Sequence, residues 1–385
     1  MVDRVTGIYK TTRWHGEEVR SFVPHPLPPA EPPIQLDSHA QEMLARAMAA
    51  LGQLSIAGDM VPSTDWFLYG FARKEALASS QIEGTQATLQ DVLTLEAGAE
   101  AQRPRDVREV CNYIKAVEYA RAEMARAAGL PISVRLLCEA HRLLMEGCSD
   151  KLPGEIRRSQ NWIGGSRPGN AHFVPPPADC LADALSSLEK WIHAASDLPT
   201  LVRVALAHAQ FETIHPFLDG NGRVGRMLIA LLIEHWLQVA GSLLYISVAF
   251  KQRQGEYYAR LDAVRLRGDW EGWIIFFLSC VVAAVSDAVA AIQRLFALTT
   301  ADVVRVTTAK KTTVAAIRLV QLLPRHPVMT IKLAENLLNV SKPTAGKAVE
   351  VLCRCGVLKQ TNQDRRNRVY AYSDYLAVLS ADTSP

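Results

Sequence analysis

The feature that most constrains this chain is a polar, glycine-rich stretch that separates two apolar segments. Before it, residues 201–211 repeat apolar side chains at helical spacing, and after it residues 227–236 are almost wholly apolar. An apolar run of about 10 residues favours a helix over a strand. The stretch between them, His-Pro-Phe-Leu-Asp-Gly-Asn-Gly-Arg-Val-Gly-Arg at 215–226, therefore joins two helices that we expect to be buried.

The glycines of this stretch favour a binding site for an anion. Gly220 and Gly222 let the backbone adopt conformations closed to other residues and approach a ligand closely. The free N–H groups in the first turn of the following helix point into the loop, with the positive end of the helix dipole behind them. Arg223 and Arg226 share one helix face and can hold a polyphosphate from the side.

Two further side chains in the stretch supply chemistry. Asp219 is a hard oxygen ligand suited to a Mg2+ ion that bridges phosphates. His215 titrates near neutral pH and is the natural general base. Each feature alone has an ordinary structural alternative, such as a tight connection, a helix N-cap or a core histidine. Their combination within twelve residues predicts nucleotidyl transfer.

The stretch resembles the signature of the Fic family, His-Pro-Phe-x-Asp/Glu-Gly-Asn-Gly-Arg-x-x-Arg, at every fixed position. Members of this family mostly transfer AMP from ATP to a hydroxyl side chain of a target protein. The resemblance implies that His215 deprotonates the target hydroxyl, that Asp219 holds Mg2+ and that Arg226 orients the γ-phosphate of ATP. The residues that would cradle the α- and β-phosphates are Gly220, Asn221, Gly222 and Arg223, of which Arg223 would also count as catalytic.

A second stretch of interest is the helix predicted over residues 66–84. Gly84 stands just past its end, a position that glycine favours, and Ser79 and Glu83 share a face. A carboxylate in the last turn faces the negative end of the helix dipole, so a cation from elsewhere is expected. The segment resembles the family's inhibitory motif, Ser/Thr-x-x-x-Glu-Gly/Asn, which implies that Glu83 pairs with Arg226 and misplaces the γ-phosphate. A solvated glutamate at a helix end is the alternative.

Periodicity breaks around residues 161–177, where a β-hairpin is predicted. Short β-like runs at 161–163 and 171–174 flank a glycine-rich turn. An unpaired hairpin edge can add a peptide as a further strand, and the Fic family uses such a flap to register its target segment. The resemblance implies target-binding roles for Ile163, Gly164, His172, Phe173 and Val174. An ordinary surface hairpin is the alternative.

The segment 255–261 is a candidate for recognition of the adenine base. Tyr257 or Tyr258 could stack on the base or bond to it, although tyrosines at helical spacing are also common in cores. Many family members have an asparagine near the position of Arg253. The segment 251–254 of this chain has none, which leaves base selectivity open.

The last part of the chain, residues 310–380, resembles a winged helix. The predicted elements are helices over 314–323, 330–338 and 341–352 and strands over 356–358 and 369–372. Ser341 is expected to cap the third helix, and a basic tip at 365–368 would lie between the strands. From residue 341 to 368 there are seven basic residues and two acidic ones, enough for contacts to DNA phosphates. A protein-binding or dimerising module is the alternative.

Composition sets the broader expectations. With 385 residues, 49% hydrophobic and 21% charged, the chain is typical of a soluble globular protein. We expect an all-α fold: an N-terminal arm and helices with the inhibitory motif over 1–100, a Fic-type catalytic core over 101–298, and the winged helix. The six prolines between residues 24 and 33 favour an extended arm or disorder over 1–36.

Charge, cysteines and hydropathy exclude several classes. A net charge of +3 is too small for nucleic-acid binding across the whole molecule. Seven cysteines without a Cys-x-x-Cys pair indicate a reducing compartment and no zinc site. The apolar run 273–285 is shorter than the roughly 18 residues of a membrane span, and residues 1–20 lack a signal peptide. A cytoplasmic location is expected.

The expected partners are therefore ATP, Mg2+ and a target protein, with a homodimer and DNA as further candidates and no membrane. Within the enzyme class, the same site could also remove AMP or move UMP or phosphocholine. The rival from another class is a transcriptional regulator, whose winged helix binds DNA while the helical body senses a nucleotide without turnover. His215 and the flap favour the enzyme, because a sensor needs neither.

Overall fold

The computed structural model describes residues 4–14, 16–59, 64–100, 104–238, 244–362 and 367–384. Most of these residues are helical, which confirms the predicted all-α class. The helices are α1 (Ser38–Asp59), α2 (Thr64–Ile82), α3 (Leu89–Glu96), α4 (Pro104–Ala125), α5 (Val134–Leu144), α6 (Leu181–His193), α7 (Thr200–Ile214), α8 (Asn221–Leu237), α9 (Ile246–Gln252), α10 (Gln254–Arg267), α11 (Trp270–Thr307), α12 (Val314–Leu322), α13 (Ile331–Leu338), α14 (Lys342–Arg354) and α15 (Ser373–Leu379). The strands are β1 (Gly7–Trp14), β2 (Glu17–Pro24), β3 (Val328–Thr330), β4 (Lys359–Gln360) and β5 (Val369–Ala371).

The chain divides into two compact units, each assembled from segments distant in sequence. The first unit comprises residues 1–49, 112–241 and 249–283. The second comprises residues 50–111, 242–248 and 284–385. The signature stretch and the predicted flap belong to the first unit, whereas the predicted inhibitory segment and the C-terminal elements belong to the second.

The core of the first unit is built around α7 and α8. All residues of α7 from Val204 to Ile214 are buried, including four polar ones: His208, Gln210, Glu212 and Thr213. The indole Nε1 of Trp273 in α11 donates to the Ala205 carbonyl at 2.8 Å. His208 joins two further helices to α7, since its ring nitrogens contact the Gly225 carbonyl in α8 at 2.9 Å and the Tyr257 hydroxyl in α10 at 2.8 Å. These contacts fix the two helices that the signature loop connects.

The N-terminal residues form an element that the sequence analysis missed. Strands β1 and β2 pair in antiparallel register, from Gly7 opposite Pro24 to Trp14 opposite Glu17. The expectation of an extended arm or disorder over residues 1–36 was therefore wrong for this hairpin. The six prolines misled it, because they begin only where β2 ends, while β-branched and aromatic residues fill β1.

The C-terminal elements of the second unit follow the predicted order, with β3 and α15 as additional short elements. The strand predicted over 356–358 was wrong in position, because a turn and a bend cover residues 355–357 and the strand lies at 359–360. α12 is followed by β3, α13 and α14 and then by β4 and β5, and the sheet order is β3-β5-β4 with antiparallel neighbours. Ser341 occupies the N-cap position of α14, although its side chain makes no capping bond to the backbone. The predicted basic tip falls partly on residues 363–366, which lie outside the described residues.

Helix α11 continues beyond residue 298, the predicted end of the catalytic core, to Thr307. By length and composition alone it could cross a membrane, a test that buried core helices also satisfy. Trp273, Ile274 and Phe277 on this helix are fully buried.

Candidate active site

The signature loop begins with an unusual backbone conformation at its histidine. α7 ends at Ile214, and His215 is its C-cap, with φ 51° and ψ 60° in the left-handed region. The His215 N–H still donates to the Phe211 carbonyl at 2.9 Å. Few non-glycine residues adopt this conformation, which costs about 1–3 kcal/mol and concentrates at functional positions. The geometry therefore singles out His215.

The imidazole of His215 is held in its neutral form. Burial lowers the pKa of His215 to about 3, and the nearby positive charges of Arg265 and Arg157 contribute to the shift. Nδ1 is buried, while the residue as a whole remains partly exposed. A neutral imidazole can accept a proton, which is what a general base does.

The backbone after His215 is held by Arg157, which the sequence analysis did not select. This arginine is 1% exposed. Its side chain donates to the carbonyl oxygens of His215 at 2.9 Å, Ser159 at 2.9 Å and Pro176 at 2.6 Å. Its own backbone N–H donates to the Pro216 carbonyl at 3.0 Å. Arg157 thus joins the signature loop to both ends of the predicted flap.

His141 on α5 provides a second support that was not predicted. Its Nδ1 accepts the Gly154 N–H at 2.9 Å, so Nε2 carries the proton and donates to the Asp219 carbonyl at 3.0 Å. The ring stacks on Phe217 with centroids 3.8 Å apart and planes 9° apart. Burial lowers the pKa of His141 to about 4, which keeps this tautomer neutral.

Asn221, expected in the phosphate cradle, turns its side chain into the loop. Its Oδ1 accepts the Phe217 N–H and its Nδ2 donates to the Phe217 carbonyl, both at 2.8 Å. The amide therefore closes the loop, and only the backbone of Asn221, at the start of α8, is left for an anion. Gly220 precedes it with φ 77°, and an added Cβ there would lie 3.1 Å from the sulfur of Met145.

The charged residues of the signature are arranged at the N-terminal end of α8. Arg223 and Arg226 are buried, with 6% and 1% of their surfaces exposed. An Nη2 atom of Arg223 lies 3.8 Å from Oδ1 of Asp219, whose side chain is 48% exposed. The same Oδ1 accepts the Gly220 N–H at 2.6 Å. This end of α8 thus combines the positive end of the helix dipole and the N–H groups of its first turn with two nearby guanidinium groups, a setting that favours an anion.

Asp219 fits the predicted magnesium ligand in chemistry and exposure. Mg2+ in phosphate sites is usually bound by one or two carboxylates together with phosphate oxygens and water. Within the described ranges, no group of three or more His, Cys, Asp and Glu residues could hold a metal by itself. A metal at Asp219 would therefore share its coordination with the bound phosphates.

The two tyrosines expected near adenine differ in exposure. Tyr257 is 1% exposed, and its ring packs 4.6 Å from Phe250 while its hydroxyl contacts His208. This burial corrects the expectation for Tyr257, because neither face of its ring is accessible to a base. Tyr258 is 43% exposed and remains the candidate for stacking on adenine.

The predicted flap is present as a loop with a single β-bridge. Ile163 and Phe173 pair in antiparallel fashion, with N–H to carbonyl distances of 2.8 Å and 3.1 Å. Gly164 follows the bridge with φ 69°, a conformation that favours glycine. The predicted strands are thus reduced to one residue pair, so this segment depends on its neighbours for support.

Those neighbours are β2 and α10. The Val174 carbonyl accepts the Phe22 N–H of β2 at 2.9 Å. The guanidinium of Arg265 lies 4.1 Å from the centre of the Phe173 ring, and the Nε2 of His172 is 2.6 Å from Oδ2 of Asp262. The second arm of the flap is therefore attached to the N-terminal hairpin and to α10.

The predicted inhibitory segment lies in the second unit, at the end of α2. The helix ends at Ile82, and Gly84 has φ 98°, which confirms the expected stop. Ser79 is fully buried and Glu83 is exposed. The pairing of Glu83 with Arg226 stays a prediction.

Comparison with known families now places the chain. The model described as "Fic/DOC family N-terminal" matches residues 41–122, and the "Fic/DOC family" model matches residues 131–233, the span with the site above. The chain belongs to the Fic/DOC family. Both matched spans are consistent with the resemblance noted in the signature and in the segment around Glu83.

Curated relatives of this Fic chain include adenylyltransferases from flies. "Protein adenylyltransferase Fic" of Drosophila erecta is 30% identical over 220 residues, which cover 54% of this chain and 41% of that protein. The protein of the same name from Drosophila virilis is 31% identical over 220 residues, with 54% and 42% covered. The chain thus matches less than half of the length of these relatives.

Solved structures show that the fold is shared. A Fic family protein from Desulfovibrio desulfuricans G20 superimposes with a TM-score of 0.59 at 22% identity, covering 88% of this chain and 97% of that one. Fic-1 (residues 134–508) from C. elegans superimposes with a TM-score of 0.51 at 22% identity, covering 66% and 73%. The predicted Fic-type helical core is thereby confirmed.

Proposed function

We propose that this Fic protein transfers AMP from ATP to a serine, threonine or tyrosine hydroxyl of a target protein and of itself. The observation that carries the proposal is the position of His215. His215 is the C-cap of α7, with its backbone in the left-handed conformation. Its neutral imidazole lies at the start of the loop that leads into the N-terminus of α8. The names of the fly relatives support the same reaction class.

The transfer would proceed by a single displacement at the α-phosphate. Nε2 of His215 accepts the proton of the target hydroxyl, whose oxygen forms the new bond to the α-phosphorus. The bond between that phosphorus and the bridging oxygen breaks, and pyrophosphate leaves with the electron pair. Catalysis would come from positioning and from charge stabilisation rather than from a covalent enzyme intermediate.

The chain's own groups have separate tasks in this scheme. The backbone N–H groups of Asn221 and Gly222 and the guanidinium of Arg223 would hold the α- and β-phosphates, with Gly220 allowing the backbone to approach them closely. Arg226, one helical turn beyond them, would orient the γ-phosphate. Mg2+ at Asp219 would supply neutralisation of charge on the pyrophosphate.

The target would dock along the flap. The second arm of the flap is bonded to β2, and the backbone of Ile163 is bonded to Phe173. An extended target segment would therefore add on the outer edge of the first arm, through the residues on either side of Ile163. Because Arg157 bonds the carbonyl of His215 and both ends of the flap, a segment aligned on the flap would also be aligned on the imidazole.

The test is transfer of label from ATP to protein. Label in the α-phosphate should enter protein, and label in the γ-phosphate should not. His215→Ala should lower transfer by about 10²–10⁴-fold, the usual contribution of a general base. His39→Ala, which removes an exposed histidine of α1, is the matched control and should transfer at the wild-type rate. Equal labelling of the His215→Ala and wild-type proteins would contradict the proposal.

We further propose that the end of α2 restrains this activity, with Glu83 pairing with Arg226. The proposal is supported by the fit of the segment 79–84 to the family motif and by the stop of α2 just before Glu83. A carboxylate there is disfavoured by the helix dipole unless a cation compensates it.

Removal of this carboxylate tests the restraint. Glu83→Gly should raise self-labelling from α-labelled ATP, because Arg226 would become available to the γ-phosphate. Glu100→Gly, which removes another exposed carboxylate of the same unit, is the control and should leave labelling unchanged. Unchanged labelling in Glu83→Gly would contradict the restraint without affecting the proposed transfer.

A further inference from the structure

A polar cavity of about 1320 Å3 lies within the second unit, outside the site described above. One wall is formed by α3 and the residues after it, and the other by α13, the start of α14 and the ends of β4 and β5. Three cations line the second wall: Lys332, Lys342 and Arg368. All three are exposed.

These cations are available to a ligand. Among the residues that the structure describes, Lys332, Lys342 and Arg368 form no ion pair with a carboxylate. The same holds for Lys347, which is exposed on α14. These four cations outnumber the described carboxylates without an ion pair on α13 and α14, which are Glu335 and Glu350. They create a local positive field even though the net charge of the chain is only +3.

The acidic residues on the facing wall are largely engaged already. Asp91 accepts the N–H of Thr88 at 3.1 Å as part of the capping box of α3. Glu96 pairs with Arg73 at 2.9 Å. Within the described part of this wall, Glu100 is the carboxylate without such a partner. The cavity therefore presents more free positive than free negative charge.

The cations surround a helix that is presented to solvent. In the first turn of α14, Lys342, Pro343 and Thr344 are exposed, as is Lys347 one turn later, while Ala345, Ala348 and Val349 bury the opposite face. α13 and α14 follow each other through a short turn at Asn339, whose backbone is left-handed. A helix presented in this way, about 10–12 Å across, fits a major groove about 12 Å wide.

We propose that this surface binds duplex DNA, with the N-terminal half of α14 in the major groove and Lys332, Lys342, Lys347 and Arg368 on the phosphates. The amide side chain of Asn336 and the hydroxyl of Thr361 also line the cavity and can bond to a sugar-phosphate backbone. Glu100 on the facing wall opposes binding by repulsion. The proposal is independent of the transfer reaction, because none of these residues belongs to the signature loop.

The experiment is a titration of the full chain with a fluorescent duplex of random sequence at several salt concentrations. The logarithm of the binding constant should fall linearly with the logarithm of the salt concentration. The variants Lys342→Gln, Lys347→Gln and Arg368→Gln should each reduce the magnitude of that slope by about 1, because each loses one phosphate contact. Glu100→Gln should tighten binding.

Two controls make the outcome decisive. Lys115→Gln removes an exposed lysine of α4 that already pairs with Glu146, and it should keep the wild-type slope. His215→Ala should bind DNA as the wild type does, which separates this surface from catalysis. Wild-type slopes in all three cation variants would overturn the proposal, as would competition by ATP or by single-stranded DNA at concentrations equal to that of the duplex.

Discussion

The signature loop and the flap lie in the same unit and serve the same proposed reaction, yet they are held very differently. Buried polar groups fix the loop: the side chains of Arg157, His141 and Asn221 all bond to its backbone. The flap has one β-bridge and takes the rest of its support from β2 and α10. The signature loop is therefore pre-organised, while the flap keeps conformational freedom to adapt to a partner.

Substitution of Arg157 should have the largest effect, because this residue holds the backbone of the signature loop. Arg157→Leu removes three donors to buried carbonyls, at about 1–3 kcal/mol for each unsatisfied group that water cannot reach. We expect a loss of several kcal/mol in the free energy of unfolding. Transfer should fall by about 100-fold, because misplacement of a catalytic group by about 1 Å has that effect. Denaturant unfolding and α-label transfer measure the two quantities.

A charge-preserving variant separates position from electrostatics. Arg157→Lys keeps the positive charge that helps to hold the pKa of His215 low but loses the forked geometry. We expect reduced transfer with an unchanged acid limb of the pH profile. In the folded fraction of Arg157→Leu the acid limb should move to higher pH, because loss of the positive charge raises the pKa of His215. Wild-type transfer in Arg157→Leu would show that the loop does not depend on this arginine.

Substitutions in the flap should have smaller effects on transfer than Arg157→Leu. Phe173→Ala removes the ring that packs beside Arg265. It should raise the KM for a protein acceptor by roughly tenfold, or about 1.4 kcal/mol, which is near the low end of what burial of an aromatic ring contributes. The KM for ATP should stay unchanged. Phe296→Ala, which removes a partly exposed ring of α11, is the control. An equal rise in the KM for ATP would show that the flap and the loop are not separable.

The sequence predicted those parts of the fold that local patterns determine. Helix α5 illustrates such a pattern: apolar residues repeat at helical spacing over 134–144, and the N-cap Ser133 accepts the Leu136 N–H. Gly84 was predicted to lie just past the end of α2, a position that favours glycine because the backbone there is often left-handed, and its φ is 98°. The signature could be recognised because seven functional positions lie within twelve residues of the chain.

What could not be predicted depends on contacts between distant residues. Arg157 bonds to the carbonyl of a residue 58 positions away and His141 to one 78 positions away, and neither stands in a pattern that would single it out. Helical spacing could not decide which of Tyr257 and Tyr258 faces the core. The β1–β2 hairpin was hidden by the prolines that follow it, although the β-branched and aromatic residues of β1 were a usable signal.

The most direct test of the account is the pH dependence of kcat/KM for α-label transfer by the wild-type protein. This quantity reports the ionisation of the free enzyme. Because the pKa of His215 is lowered to about 3, the neutral base should predominate at every pH above that value. Transfer should therefore stay constant as the pH falls through the ordinary histidine pKa of about 6.5. An acid limb at pH 6.5 or above would contradict a pre-organised, neutral His215 as the base.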